Sequence, residues 1–142
     1  MRSFRATTTI RATPEKIWKL LTDAAGYASW NTTVDKVEGR IAYGEKVTVY
    51  PKGASGRAFP AKVTQFEPNA SMTWSGSTPL GLFKGARTFT LTPRTDGTVE
   101  FTMAEVFSGL LEPLIGKKLP DLQPAFEEWA EALKKKSESG PS

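Results

Sequence analysis

The sequence of 142 residues contains no cysteine and no histidine. Without cysteine there is no disulfide, no thiolate nucleophile and no Cys-ligated metal. Without histidine, a Ser-His-Asp triad, a Cys-His dyad, a zinc-finger or zincin site and a His-ligated haem are all excluded. No D-x-D-x-D-G loop is present to hold a cation by carboxylates, so no metal site is expected. The apolar runs are only a few residues long, far short of the roughly 20 that a membrane-spanning helix needs. Met1-Arg2-Ser3 leads directly into alternating sequence, with no apolar leader. These absences predict a cytoplasmic protein without stable membrane insertion and without a cofactor. Chemistry is left to Asp, Glu, Lys, Arg, Tyr, Ser or Thr, or to an organic cofactor.

What is present is an ordinary globular composition, 39% hydrophobic and 24% charged. A chain of this length buries about two-thirds of the surface its unfolded form exposes. One core is therefore expected, in a single domain over residues 1–137 with a frayed tail at 138–142. The net charge of +4 is uneven: residues 1–62 carry +6 and residues 63–142 carry −2. The one basic run, Lys134-Lys135-Lys136, falls at the end of a predicted helix, where cations suit the helix dipole. With no basic stripe interleaved with aromatics, no nucleic-acid partner is expected.

Phe4, Ala6, Thr8 and Ile10 alternate with polar residues, the period of a half-buried strand. Thr13-Pro14-Glu15 then reads as a helix start, with Ile17, Trp18, Leu20 and Leu21 on one face. Asp23-Ala24-Ala25-Gly26 stops it, and a second short helical turn is predicted from Tyr27 to Trp30. Strands are predicted near 34–41, 45–50, 58–67, 71–77, 86–93 and 98–108, most of them joined by short turns and hence antiparallel neighbours. Leu122, Phe126, Trp129 and Leu133 return to helical spacing from Asp121 to Ser137. The expected architecture is α+β: a seven-stranded antiparallel sheet curved around a long C-terminal helix, with two short helices after the first strand. A ligand cavity is expected between sheet and helix.

Several segments in this order resemble the START-related polyketide cyclase/dehydrase and lipid-transport superfamily, SRPBCC. They are Ala12-Thr13-Pro14-Glu15-Lys16-Ile17-Trp18, Leu21-Thr22-Asp23, Trp30, Gly39 and Gly44-Glu45-Lys46-Val47. Beyond these come Trp74, Arg87-Thr88-Phe89 and Glu105-Val106-Phe107-Ser108-Gly109. The resemblance covers nearly the whole chain and implies the helix-grip fold. The superfamily holds aromatase/cyclases, lipid and hormone carriers and heat-shock ATPase activators, and the fold alone does not choose among them.

The last hairpin supplies the sharpest candidate site. Val99, Phe101, Met103, Glu105 and Phe107 share one face, which places a single carboxylate among apolar residues. Thr95-Asp96-Gly97 makes a three-residue loop with Gly97 at the position that needs positive φ. The resulting register sets Phe89 against Met103 and Arg87 against Glu105. A charge placed inside requires a partner, so Arg87 and Glu105 are expected to pair. Two readings stay open. The pair orients a polar group of a bound ligand, with Arg87 stabilising an enolate and Glu105 moving protons if the protein is an enzyme. Alternatively it is a structural ion pair closing one end of the sheet.

Trp30, Trp74, Phe89, Phe101, Met103, Phe126 and Trp129 are candidates for the apolar ligand-binding walls, or else plain core. Asn31 either turns the chain after the second helix or offers its amide to a ligand. Leu80, Leu82 and Phe83, in the loop Pro79–Gly85, are candidates for a lid or entrance, with Pro113, Leu114 and Ile115 facing the same opening. Tyr43 and Tyr50 are reserve acid/base groups. The leading expectation is a small hydrophobic, lipid-like or polyketide-like ligand held by a monomer or weak dimer. The alternatives are a polyketide cyclase/dehydratase working without His or Cys, and an interaction module like the heat-shock ATPase activators.

Overall fold

Alternation at Phe4, Ala6 and Ile10 produces β1 (Arg2–Ile10), whose inward side chains are buried while Arg5, Thr7 and Thr9 are exposed. The structure, a computed structural model, describes residues 2–77, 80, 82–115 and 121–139. After β1, Thr13 caps α1 (Pro14–Leu21): its hydroxyl accepts from the Lys16 amide at 3.2 Å, and Pro14 and Glu15 occupy the first turn. The helix buries Ile17, Trp18 and Leu21. It ends at Thr22, whose hydroxyl donates back to the Trp18 carbonyl at 2.8 Å. A 3-10 turn (Ala24–Gly26) leads into α2 (Tyr27–Trp30), a single turn that buries both Tyr27 and Trp30.

Six more strands follow: β2 (Val34–Gly39), β3 (Lys46–Pro51), β4 (Phe59–Glu67), β5 (Ser71–Ser77), β6 (Lys84–Pro93) and β7 (Val99–Ser108). Their order in the sheet is β1-β7-β6-β5-β4-β3-β2, and every neighbouring pair is antiparallel. After β7 come α3 (Glu112–Ile115) and α4 (Gln123–Glu138). The stripe Phe126, Trp129, Ala130 and Leu133 of α4 is buried against the sheet. This is the helix-grip fold that the order of elements predicts.

Several boundaries differ from expectation by a few residues. β6 begins at Lys84 rather than 86, because pairing with β7 continues through Gly85↔Phe107 and Lys84↔Ser108. The apolar stretch Pro113–Ile115, expected to face the entrance, lies in the short helix α3, and the side chains of Leu114 and Ile115 lie outside the described residues. α4 starts at Gln123, whose amide is capped by the Asp121 carboxylate at 3.0 Å. It runs on through Glu138, the first residue of the expected tail, because that carboxylate accepts from the Arg11 amide at 2.8 Å. Residues 140–142 of that tail, and Pro79 and Gly81 of the expected lid, lie outside the described residues. The β6–β7 loop forms as its sequence requires. The Arg94 amide donates to the Thr98 carbonyl at 2.8 Å, and Gly97 sits at φ +87°, where an L side chain is disfavoured.

Candidate functional site

Register sets the site. Phe4 lies opposite Glu105, Glu105 opposite Arg87, Arg87 opposite Trp74, and Trp74 opposite Val63. Directly opposed residues share a face, so this row of five crosses the concave side from β1 to β4. The neighbouring row brings together Ala6, Met103, Phe89 and Met72. All four are buried.

The expected pair forms. Arg87 Nε donates to Glu105 Oε1 at 2.7 Å, with side chains 21% and 13% exposed. The guanidinium also lies over two rings of α4, its central carbon 4.8 Å from the centre of Phe126 and 5.2 Å from that of Trp129. A cation over an aromatic face is attracted by the ring quadrupole. Sheet and helix thus hold Arg87 from opposite sides. Among the described residues Nε is the one guanidinium nitrogen with a hydrogen-bond acceptor.

Gly85 makes room for this arrangement. A β-carbon there would stand 3.0 Å from Glu105 Oε2 and 3.1 Å from the Phe107 ring. Its neighbour across the strands is Gly76. Beside the ion pair, two adjacent strands therefore put no side chain on the concave face. The sequence reading places Gly85 in the candidate lid loop and Gly76 within a strand; their registered spacing is the signal that brings them together.

Beyond Arg87 the interior is aromatic. Tyr27 is its hub, with ring centres 5.0 Å from Trp30, 5.6 Å from Trp129 and 6.3 Å from Trp74. Trp74 and Trp129 also flank Phe89, at 4.6 and 5.8 Å. The Tyr27 hydroxyl donates to the Leu21 carbonyl at 2.5 Å. Burial pushes this phenol well above its ordinary value of 10.0, with the Arg87 charge opposing and Asp23 reinforcing the shift. Sequence reasoning placed Tyr27 in a short helix and missed its central position, because one aromatic in a single turn carries no periodicity.

The described space between sheet and α4 is therefore occupied by side chains: Phe89, Phe101, Met103 and Leu133 have no exposed surface. Its polar atoms are less well provided for. The indole nitrogens of Trp30, Trp74 and Trp129 and the amide nitrogen of Asn31 are buried without a hydrogen-bond partner. Buried donors are nearly always paired, and leaving one unmet costs about 1–3 kcal/mol. Asn31 fulfils its turn role as well, since its Oδ1 accepts from the Thr33 amide and hydroxyl at 2.9 and 2.7 Å. Its Nδ2 remains spare.

The candidate entrance residues part company. Leu80 is 95% exposed and Leu82 half-buried, while Phe83 stacks on Phe107 at 5.6 Å and packs against the core. Tyr43 is exposed, and Tyr50 donates to Glu38 at the far edge of the sheet, so neither reserve tyrosine joins the site. An open groove of about 700 Å3 lies elsewhere, between α2 and the end of α4, with Ser29, Trp30, Thr32, Glu128 and Lys135 on its walls. Among the described residues no cluster of three or more Asp or Glu is placed to hold a metal, and no helix is long and apolar enough to cross a membrane.

A curled antiparallel sheet gripping one long helix defines the fold class of the protein. The model of the polyketide cyclase/dehydrase and lipid transport family matches residues 1–138, and the chain belongs to that family. No curated protein matches it significantly in sequence. Among solved structures it is similar to hypothetical protein jhp0584 of Helicobacter pylori, with TM-score 0.78 and 14% identity over 96% of this chain and 88% of that one. It is also similar to the di-domain aromatase/cyclase BexL of the BE-7585A biosynthetic pathway, with TM-score 0.69 and 14% identity over 95% of this chain and 46% of that one. The Aha1 dimer protein of Colwellia psychrerythraea has TM-score 0.67 and 21% identity, and each chain is covered in full. At these identities the likeness is one of fold.

Proposed function

We propose that this protein binds, in the cytoplasm, a small hydrophobic or aromatic ligand between the sheet and α4, and that the ligand is rich in hydrogen-bond acceptors. The observation that carries this reading is the set of unmet donors. Three indole rings surround the Tyr27 ring, each with a buried, unmet N–H, and the Asn31 amide adjoins Trp30 in the chain. The two terminal nitrogens of Arg87 add further donors, and Glu105 Oε2 is the acceptor beside them. A planar ligand bearing carbonyl or ether oxygens would have to displace part of this packed aromatic interior, and in doing so would satisfy donors that water cannot easily reach.

A second reading, a cyclase or dehydratase acting on such a ligand, uses the same pair. Glu105 Oε2 would take a proton from carbon next to a carbonyl, while Arg87 stabilises the enolate oxygen that forms. The third reading, a protein-interaction module, is favoured by the filled interior and by exposed Leu80 and Leu110. It gives no account of the unmet indole and Asn31 donors, and ligand binding does; the unmet Ser137 hydroxyl near the end of α4 is explained by neither.

Titration of intrinsic tryptophan fluorescence with anthraquinone-type polyketones, flavonoids, fatty acids and sterols tests the proposal. Aromatic polyketones are expected to bind most tightly. The double variant Arg87→Met/Glu105→Gln, which leaves no charge unpaired, is expected to weaken them by roughly tenfold or more, the equivalent of about 1.4 kcal/mol. Unchanged affinity in that variant assigns the pair a structural role. Absence of binding across the panel overturns the proposal. Turnover by the wild type that Glu105→Gln loses while it keeps binding supports the cyclase reading.

A further inference from the structure

The two edges of the sheet are protected differently. β2 is short, carries exposed Lys36 and Glu38, and shifts register between Val34 and Lys36. Charges and bulges of this kind blunt an edge against strand addition. β1 carries the exposed charge of Arg5 but no bulge. It pairs with β7 over nine consecutive residues without a shift, and Ser3, Thr7 and Thr9 of its outward residues are uncharged.

What covers this edge is a set of side chains from α4, which runs alongside it in the same direction. Gln123 grips Arg5 as a second strand would: its Oε1 accepts from the Arg5 amide at 3.3 Å, and its Nε2 donates to the Arg5 carbonyl at 2.6 Å. Further along, Lys134 Nζ donates to the Thr9 carbonyl at 2.6 Å, and Glu138 accepts from the Arg11 amide at 2.8 Å. The backbone groups held are all on odd-numbered residues, those whose N–H and C=O face away from β7. Lys134 and Glu138 also meet each other at 3.6 Å. All of these side chains are long and exposed or partly exposed, so they can leave the edge while the buried stripe of α4 stays in place.

We propose that the outer edge of β1 is a strand-addition surface held shut by Gln123, Lys134 and Glu138, and that its occupant on release is β1 of a second copy, antiparallel and centred on Thr7. The sequence of β1 fits itself in that register. Thr7 falls opposite Thr7, Arg5 opposite Thr9 and Arg11 opposite Ser3, so no two arginines are directly opposed. On the inner face Phe4 meets Ile10 and Ala6 meets Thr8. The centre falls on an odd residue, whose backbone groups point outward, as an exchanged pair of hydrogen bonds requires. This edge pairs in the same way whatever the interior binds.

The absence of cysteine makes a clean test. Thr7→Cys places one thiol at the centre of the pairing, where directly opposed α-carbons stand about 4.5–5.5 Å apart, within disulfide reach. The cross-linked fraction on oxidation is compared between the capped chain and the variant Gln123→Ala/Lys134→Ala/Glu138→Ala, with Ser55→Cys at the β3–β4 turn as control. Uncapping is expected to raise Thr7→Cys dimers several-fold, to leave Ser55→Cys dimers unchanged, and to shift the mass by light scattering toward a dimer. If the triple variant does not fold, Gln123→Ala alone carries the same comparison, since it frees both groups of Arg5. A chain that stays monomeric when uncapped, or that cross-links equally through Thr7→Cys and Ser55→Cys, overturns the proposal.

Discussion

Tyr27 shows how one residue ties local structure to the interior. Its hydroxyl meets the Leu21 carbonyl, one of the carbonyls left open where α1 ends. Its ring meanwhile spaces three indoles. Tyr27→Phe keeps the ring and strands the carbonyl, so unfolding in urea is expected to show a loss of about 1–3 kcal/mol. The pH dependence follows from the raised pKa of the phenol. A group raised in the folded state contributes its stability in full below its ordinary value, here 10.0, and loses it as pH rises through the native value. The wild type is thus expected to keep its margin over Tyr27→Phe throughout neutral and mildly alkaline pH. A margin already lost near pH 7 would contradict this. Nothing in the sequence marks Tyr27 for the role. Its position at the hub depends on α2 packing against α4, a tertiary fact that no local pattern encodes.

At the scale of elements, the β6–β7 hairpin was the most legible part. Period-two alternation fixed which faces turn inward, and the three-residue loop fixed the register, so Arg87 opposite Glu105 followed from the sequence. Asp96 anchors that loop. Its carboxylate accepts from the Thr98 hydroxyl at 2.6 Å and the Thr98 amide at 3.0 Å, and these bonds, the hydroxyl first, hold its pKa below the ordinary 3.8. A lowered carboxylate contributes stability that is present above its unfolded value and is lost as pH falls through the native one. Asp96→Ala is therefore expected to melt below the wild type at neutral pH, with the gap shrinking once pH drops beneath 3.8. A gap that stays constant into strong acid would count against this role. In α4 the apolar stripe was legible for the same reason as the hairpin. The polar contacts of Gln123 and Glu138 with β1 were not, because they join residues 118 and 127 positions apart.

For the whole molecule, the order of strands and helices sufficed to give the helix-grip architecture, since short connections leave an antiparallel sheet few ways to wrap one long helix. The expected cavity was not to be had from that order. Whether a grip closes on space or on side chains depends on how far each aromatic reaches, and here Trp74, Phe89 and Trp129 reach one another. The proposed binding reading rests instead on chemistry: donors buried without acceptors. The four tryptophans allow this to be read directly. Three bear the unmet indole N–H groups, while Trp18 of α1 packs on Phe66 and lacks this mark. The decisive measurement is a proton–nitrogen NMR titration of the four indole signals with an aromatic polyketone. The indole protons of Trp30, Trp74 and Trp129 are predicted to move downfield together as each gains an acceptor, with Trp18 unchanged. Saturation that moves Trp30 alone would place the ligand in the outer groove, and saturation that moves none of the three would contradict an interior site.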